Sequence, residues 1–353
     1  MKKICIITRQ LIVDGGVSSI IVNLAKAWNN IGKKDFQLEI IILDYCDVEI
    51  QRQLKSLGIP FLICPSTNRL KQLVCLIKYF ARTDQNFKAL CTCFKSFVFC
   101  RLANLFNRNV YLWAHAYIIK NRLKKWVVNI LSNNFIIVTS KYTAQINGFE
   151  NIRVLYNGVD TFFLENEGSD FYERFNVPKQ SVIIGYIAHW IPIKNHKTLI
   201  KAFDLLAEQF PDLYLFCIGD KTPLTDILCK SSVYSNRIIV AGKILNAANY
   251  IRFFSVYVHT CPIEGFGLAV VEALFSKIPV IVPNSGALPE LIVHNETGYV
   301  YQDPYSIAEC ANAISILLND DQKAKKLAIN GERWVSNQFT IERFYKNFKT
   351  LFI

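Results

Sequence analysis

Ser255-Val256-Tyr257-Val258-His259-Thr260-Cys261-Pro262-Ile263-Glu264-Gly265-Phe266-Gly267-Leu268-Ala269-Val270-Val271-Glu272 reads as a strand, a loop and the start of a helix. Ser255–Thr260 is a short run rich in β-formers, and Leu268–Ser276 carries helical apolar spacing. Strand, tight loop and helix in that order is the repeating unit of a parallel α/β sheet. Such sheets bind ligands in the crevice outside the carboxyl ends of their strands, which places Glu264 at the mouth of the sheet. Glu272 follows after seven intervening residues and falls one to two turns into the helix, at roughly 1.5 Å of rise per residue. Gly265 and Gly267 let the backbone approach a ligand closely and aim N–H groups at an anion. Carboxylates for hydroxyls and amides for phosphate suit a polyhydroxylated, phosphorylated compound.

The same alternation extends in both directions. In the first half the strand candidates are Ile4–Thr8, Leu38–Asp44, Pro60–Cys64, Ala89–Phe94, Val110–Ala114 and Phe135–Ser140. The helices expected between them are Val17–Asn30, Lys71–Arg82, Phe97–Phe106 and Leu123–Leu131. The polar stretch Glu165–Asp170 interrupts the pattern, which resumes at Val182–Ala188 and runs through helix Ala247–Phe254 to strand Pro279–Val282. Three helices are expected to close the chain, over Tyr305–Leu318, Gln322–Asn337 and Ile341–Phe352. The fold class is therefore α/β, with two Rossmann-like domains. The expected division is 1–160, 161–338 and a terminal helix over 339–353.

At 353 residues and 52% hydrophobic composition the chain can build two cores. No apolar run reaches transmembrane length, and Arg9 and Gln10 interrupt the first one too early for a signal peptide. A cytoplasmic protein is expected. The 11 cysteines fit that expectation: their number is odd, no C-x-x-C occurs, and Cys5, Cys64 and Cys217 sit in apolar strands. The net charge of +12 is lopsided. Residues 1–160 hold 22 Lys+Arg against 9 Asp+Glu, and within 51–149 Asp84 is the one acid. A field of this kind attracts nucleic acid or an anionic membrane surface, although a Lys-rich soluble domain has it too.

Other loops follow strands in the same way. Asp14-Gly15-Gly16 opens the first helix and can approach phosphate, or serve as a plain tight turn; it is not G-x-G-x-x-G. His115 ends strand Val110–Ala114, placed for catalysis, hydroxyl binding or simple packing. Asn157-Gly158-Val159-Asp160 is a turn at the end of the first domain. Lys194 closes the loop after Val182–Ile187, where it can reach a phosphate over the sheet or remain solvated. His259 reads as a structural histidine within its strand, and His196 and His294 as loop residues with no partner. Gly286-Ala287-Leu288-Pro289-Glu290 adds one more helix start to the rim.

Together these segments resemble family 4 of the glycosyltransferases, retaining enzymes of the GT-B fold, including those that build bacterial surface polysaccharides. Gly15-Gly16, Asn157-Gly158-Val159-Asp160, Lys194 as the lysine of G-R-x-x-x-x-K, Glu264 to Glu272 as E-x7-E with its G-F-G turn, and Gly286 to Glu290 with Thr297-Gly298 occur in the family's order. The resemblance implies two Rossmann-like domains facing across a cleft, with the last helix crossing back to the amino-terminal, acceptor-binding domain. It implies that the carboxy-terminal domain binds a nucleotide-diphosphate sugar. Lys194 would bind the pyrophosphate, Glu264 the transferred sugar, and Glu272 the ribose. The amides of Gly265, Phe266, Gly267 and Leu268 would line the donor, Gly15 and Gly16 would approach its phosphate, and His115 would stand near the reacting sugar. His115, Lys194 and Glu264 are thus the expected catalytic set. One position departs from the family: Ala188-His189 replaces Gly-Arg. His189 can donate one hydrogen bond to the donor phosphate but cannot clamp it bidentately, which leaves most of the leaving-group charge to Lys194.

The expected reaction is metal-independent hexosyl transfer with retention, using no cofactor beyond the sugar donor. The acceptor expected is a saccharide, lipid-linked, on the inner face of the cell membrane. Lys120, Arg122, Lys124, Lys125 and Trp126 form the candidate membrane or acceptor contact. The alternatives are another GT-B sugar enzyme, a nucleotide-sugar epimerase or glycoside phosphorylase, and a basic nucleic-acid-binding protein. No nucleic-acid motif accompanies the charge, so nucleic acid is not an expected partner.

Overall fold

The computed structural model describes residues 2–353 except 14, 34, 65, 83–86, 104–108, 116–121, 133 and 166–169, together with the side chain of Arg122. Two compact units emerge: Met1–Gly158 with Ile341–Ile353, and Val159–Thr340.

The first unit alternates strands and helices from its start: β1 (Lys3–Leu11), α1 (Gly16–Ala27), β2 (Gln37–Cys46), α2 (Val48–Ser56), β3 (Phe61–Ile63), α3 (Arg69–Ala81), β4 (Phe87–Cys91), α4 (Phe94–Ala103), β5 (Val110–Ala114), α5 (Arg122–Leu131), β6 (Ile136–Val138), α6 (Lys141–Asn147) and β7 (Ile152–Val154). Its strands form a parallel sheet in the order β3-β2-β1-β4-β5-β6-β7. The central strands are apolar on both faces because helices cover both: Ile4 to Ile7 and Ile40 to Leu43 are fully buried. The chain winds outward from β1 in each direction, so right-handed crossovers put α1 and α2 on one face and α3, α4 and α5 on the other. The buried cluster joining Leu76, Phe80, Phe97, Cys100 and Val128 to Ile7, Ala89 and Leu112 shows the second group seated on the sheet.

The second unit repeats the plan with α7 (Phe171–Arg174), β8 (Val182–Ile187), α8 (His196–Ala207), β9 (Leu213–Ile218), α9 (Pro223–Lys230), β10 (Ile238–Gly242), β11 (Val256–Val258), α10 (Leu268–Phe275), β12 (Val280–Pro283), β13 (Tyr299–Tyr301), α11 (Ile307–Asn319) and α12 (Asp321–Gln338). The parallel order is β10-β9-β8-β11-β12-β13. The order reverses between β8 and β11, where Val256 pairs with Ile184 and Tyr257 with Gly185. That switch point lies beside the loops carrying Lys194 and Glu264.

The last helix, α13 (Ile341–Phe352), belongs to the first unit. Its apolar stripe of Ile341, Phe344, Tyr345, Phe348 and Phe352 is buried. Phe348 lies against Phe36 and Phe344 against Trp113. Asp35 accepts a hydrogen bond from Tyr345 at 2.9 Å and pairs with Lys349 at 2.7 Å.

Several expected elements differ. The strand expected over Ala89–Phe94 ends at Cys91, and Phe94 already opens α4. The helix expected over Ala247–Phe254 is a run of tighter 3-10 turns, Ala247–Phe253. α2, α6, α9 and β13 were not expected. α6 is held by end chemistry rather than by length: Ser140 accepts from the Thr143 amide at 3.0 Å, and Gly148 closes it in the left-handed region at φ +52.

Candidate functional site

The loop after β11 folds back so that Glu264 meets Lys194, which stands at the end of the loop after β8. Lys194 Nζ lies 2.6 Å from Glu264 Oε2. The same oxygen lies 3.3 Å from His259 Nε2, and Glu264 Oε1 accepts from the Gly265 amide at 3.2 Å. His259 Nδ1 lies 3.2 Å from the Tyr257 hydroxyl. A carboxylate only accepts, so His259 carries its proton on Nε2 and Tyr257 donates to Nδ1. Burial alone would raise the Glu264 carboxyl, but the His259 hydrogen bond and the Lys194 charge outweigh it and hold Glu264 well below the usual range. Burial works against the Lys194 ammonium as well, and Glu264 more than offsets it, so Lys194 is raised. Burial pushes His259 down, which keeps the imidazole neutral.

The backbone beneath this pair is fixed from three sides. Tyr186 donates its hydroxyl to the Lys194 carbonyl at 2.6 Å, and Thr260 donates to the same carbonyl at 3.2 Å. Asn195, left-handed at φ +53, donates to the carbonyls of Thr260 and Pro304. The Ala287 amide donates to the Glu264 carbonyl at 2.9 Å. Gly286 makes that contact possible. Its φ is +61, and a Cβ there would sit 2.6 Å from the Glu264 nitrogen and 2.8 Å from its carbonyl oxygen. Gly267, at φ +101, turns the chain into α10.

The remaining expected residues fall in different places. His189 points to Asp220, Nδ1 to Oδ2 3.4 Å. Phe266 is buried and packs edge-on to Phe339, so its side chain serves the core. Leu268 begins α10, and Glu272 lies within it, near enough to Tyr257 to oppose ionisation of that phenol. In the first unit Gly15 and Gly16 open α1. His115 follows β5 with both ring nitrogens buried and without a hydrogen-bond partner among the described residues. Burial holds it neutral, its pKa pushed down to about 3. Lys120 lies outside the described residues. Lys124 lies over the Phe94 ring, and Trp126 is exposed.

The sequence alone gave no sign that His259 and Cys261 face the same carboxylate. His259, Cys261 and Glu264 bring an imidazole, a thiol and a carboxylate within 4.8 Å of one another, a donor set that suits zinc. The Lys194 ammonium already supplies a cation at that carboxylate, and burial with nearby groups raises the Cys261 thiol to about 11. His196 is not a loop residue, and His294 is not without a partner. His196 is buried at the start of α8 and stacks on Trp190, while His294 accepts from the Val300 amide at 3.0 Å.

Residues 170–334, nearly all of the second unit, match the family described as "Glycosyl transferases group 1". The chain is 23% identical over 206 residues to the N-acetyl-alpha-D-glucosaminyl L-malate synthase of Bacillus anthracis, covering 58% of this chain and 54% of that one. It is 21% identical over 202 residues to the capsular polysaccharide biosynthesis glycosyltransferase CapM of Staphylococcus aureus, covering 56% and 52%. The chain thus spans about half the length of these relatives. The crystal structure of Anabaena Alr3699/HepE in complex with UDP superposes with a TM-score of 0.82 at 21% identity, over 99% of each chain. At that identity the likeness shows the fold.

Proposed function

We propose that the protein, whose residues 170–334 match the group 1 glycosyl transferases, moves a sugar from a nucleotide-diphosphate sugar to a saccharide acceptor, with retention and without a metal. The observation that carries the reading is the Lys194–Glu264 pair at the switch point of the second sheet. In the free protein each group neutralises the other. A bound diphosphate offers Lys194 a second anion, and a sugar offers its hydroxyls to Glu264. Glu264 is held ionised, so it acts as an acceptor and as a negative charge beside the developing oxocarbenium, not as a proton donor. The bond from the anomeric carbon to the diphosphate oxygen breaks, and the acceptor hydroxyl, giving its proton to the departing diphosphate, bonds to that carbon on the same face of the ring. Lys194 compensates the charge of the departing diphosphate, with His189 adding one hydrogen bond. Glu272 takes the ribose. Retention rests on the family resemblance.

No helix of the described residues is long and apolar enough to cross a membrane. The acceptor in this reading is lipid-linked, reached from the inner face of the cell membrane through α5, where Lys124 and Trp126 are exposed. The names of relatives that act in capsular polysaccharide and phosphatidylinositol mannoside synthesis support that class of acceptor.

A thermal-shift screen of UDP- and GDP-sugars, run with and without EDTA, tests donor binding directly. A shift that survives EDTA is the expected result. A shift that vanishes with EDTA and returns with Mn²⁺ contradicts the metal-free reading, and no shift with any nucleotide contradicts the donor site.

A further inference from the structure

The first unit carries an exposed apolar and basic surface on its helices α3 and α5. The helices α3, α4 and α5 bury their inner sides in one core on the sheet. Their outer sides are apolar where water-facing helices are normally polar. On α3, Leu70, Val74 and Ile77 are 44 to 74% exposed, and on α5, Leu123, Trp126 and Ile130 are 56 to 63% exposed. Each set is spaced by three and four residues, so each makes one stripe along its helix. No Asp or Glu occurs in any of the three helices. Arg69, Lys71 and Lys78 on α3 and Lys124 on α5 are exposed beside the stripes. Lys95 and Arg101 of α4 do not count toward that charge, since Lys95 pairs with Asp44 and Arg101 is buried.

We infer that this face docks on an anionic lipid bilayer, with the α3 and α5 stripes both seated in the interface and their flanking cations on the headgroups. The pattern is that of an interfacial amphipathic surface: apolar residues on one side, basic residues at the edge, no acid. A second copy of the chain would bring the same positive charge against itself. A nucleic-acid backbone would engage the cations but leave six large apolar side chains exposed to water. The inference rests on the peripheral location proposed above and deepens it, because that reading named α5 alone. It is independent of the transfer chemistry.

The test uses the full chain, sedimented with vesicles of phosphatidylcholine alone or mixed with phosphatidylglycerol, at low and at high salt. Two double variants separate the helices: Leu70→Glu with Val74→Glu, and Leu123→Glu with Trp126→Glu. All four positions are exposed, so the fold should persist, and an unchanged thermal melt checks this. The parent should pellet with the mixed vesicles and lose part of that binding in salt, and each variant should bind about tenfold more weakly or worse. Nucleotide-sugar binding should be the same in all three proteins, which keeps the two readings apart. Equal partitioning to both vesicle types, an α3 variant that pellets like the parent, or binding to RNA without binding to vesicles would each overturn the inference.

Discussion

Lys194 and Glu264, seventy positions apart in sequence, meet at 2.6 Å on adjoining loops of the second sheet. The pair forms across the point where strand order reverses, between β8 and β11. Most of the carboxylate's other partners come from its own loop and strand, His259 at one oxygen and the Gly265 amide at the other.

His259, buried beside Glu264, orients the carboxylate through Oε2. The substitution His259→Leu removes one of the two donors on Oε2 and leaves the carboxylate held by Lys194 and the Gly265 amide alone. Turnover should fall about tenfold to a hundredfold, the scale set by misplacing a reacting group by about an ångström. The KM for donor should move little, because Lys194 remains. His259→Gln keeps an amide donor and should recover part of the loss. A purely structural histidine would instead give two variants that differ in melting temperature and not in kcat.

Gly286→Ala should damage the same loop through the backbone. The added Cβ has to displace the Glu264 backbone, and the left-handed φ of +61 opposes any side chain. A cost of about 1–3 kcal/mol in unfolding free energy is expected, with weakened nucleotide-sugar binding. Denaturant titration and calorimetry measure the two effects.

Stability should fall in two stages on acidification. Burial pushes His115 and His196 from the ordinary 6.5 to about 3. As pH drops below 6.5 the unfolded chain takes up these protons first, so stability declines from there down to about 3. Carboxylates set the second stage. Glu264 is depressed below its ordinary 4.5, and Asp44, where Lys95, Arg9 and Gln72 outweigh burial, from 3.8 to about 2. Their contribution is complete above those ordinary values and is lost as pH falls through the folded ones. Unfolding free energies measured over a pH series should therefore start to decline near 6.5 and steepen below 4.5. Glu264→Gln should flatten the lower stage. A level profile down to 4.5 would contradict the neutral buried histidines.

How much of this was legible in the sequence depended on length and local chemistry. Apolar runs such as Leu38–Asp44 and Val182–Ile187 named the central strands because both faces of a parallel sheet are buried. Ala89–Phe94 misled for the same reason: the run continues from β4 into the first turn of α4 with no polar break, and an unbroken apolar stretch has no period. α6 and β13 are too short to show one, with seven and three residues. At the site, Glu264 and Lys194 stood out in loops after strands. Their contact did not, since it depends on β8 and β11 lying side by side. His259 looked like a core histidine, and it is one, buried with both nitrogens engaged. That one of its partners is Glu264 follows from the turn at Pro262 and Ile263, which no spacing encodes.

In the proposed reaction the Lys194–Glu264 site breaks a sugar–diphosphate bond for transfer. Its most direct test is to incubate the chain and its Lys194→Ala variant with a saturating nucleotide-diphosphate sugar and a saccharide acceptor, following the product and its anomeric configuration by NMR. A new glycoside with the donor's configuration is expected, with turnover about a hundredfold or more lower in the variant. Isomerised sugar in place of a glycoside, or unchanged turnover in Lys194→Ala, would contradict that reaction.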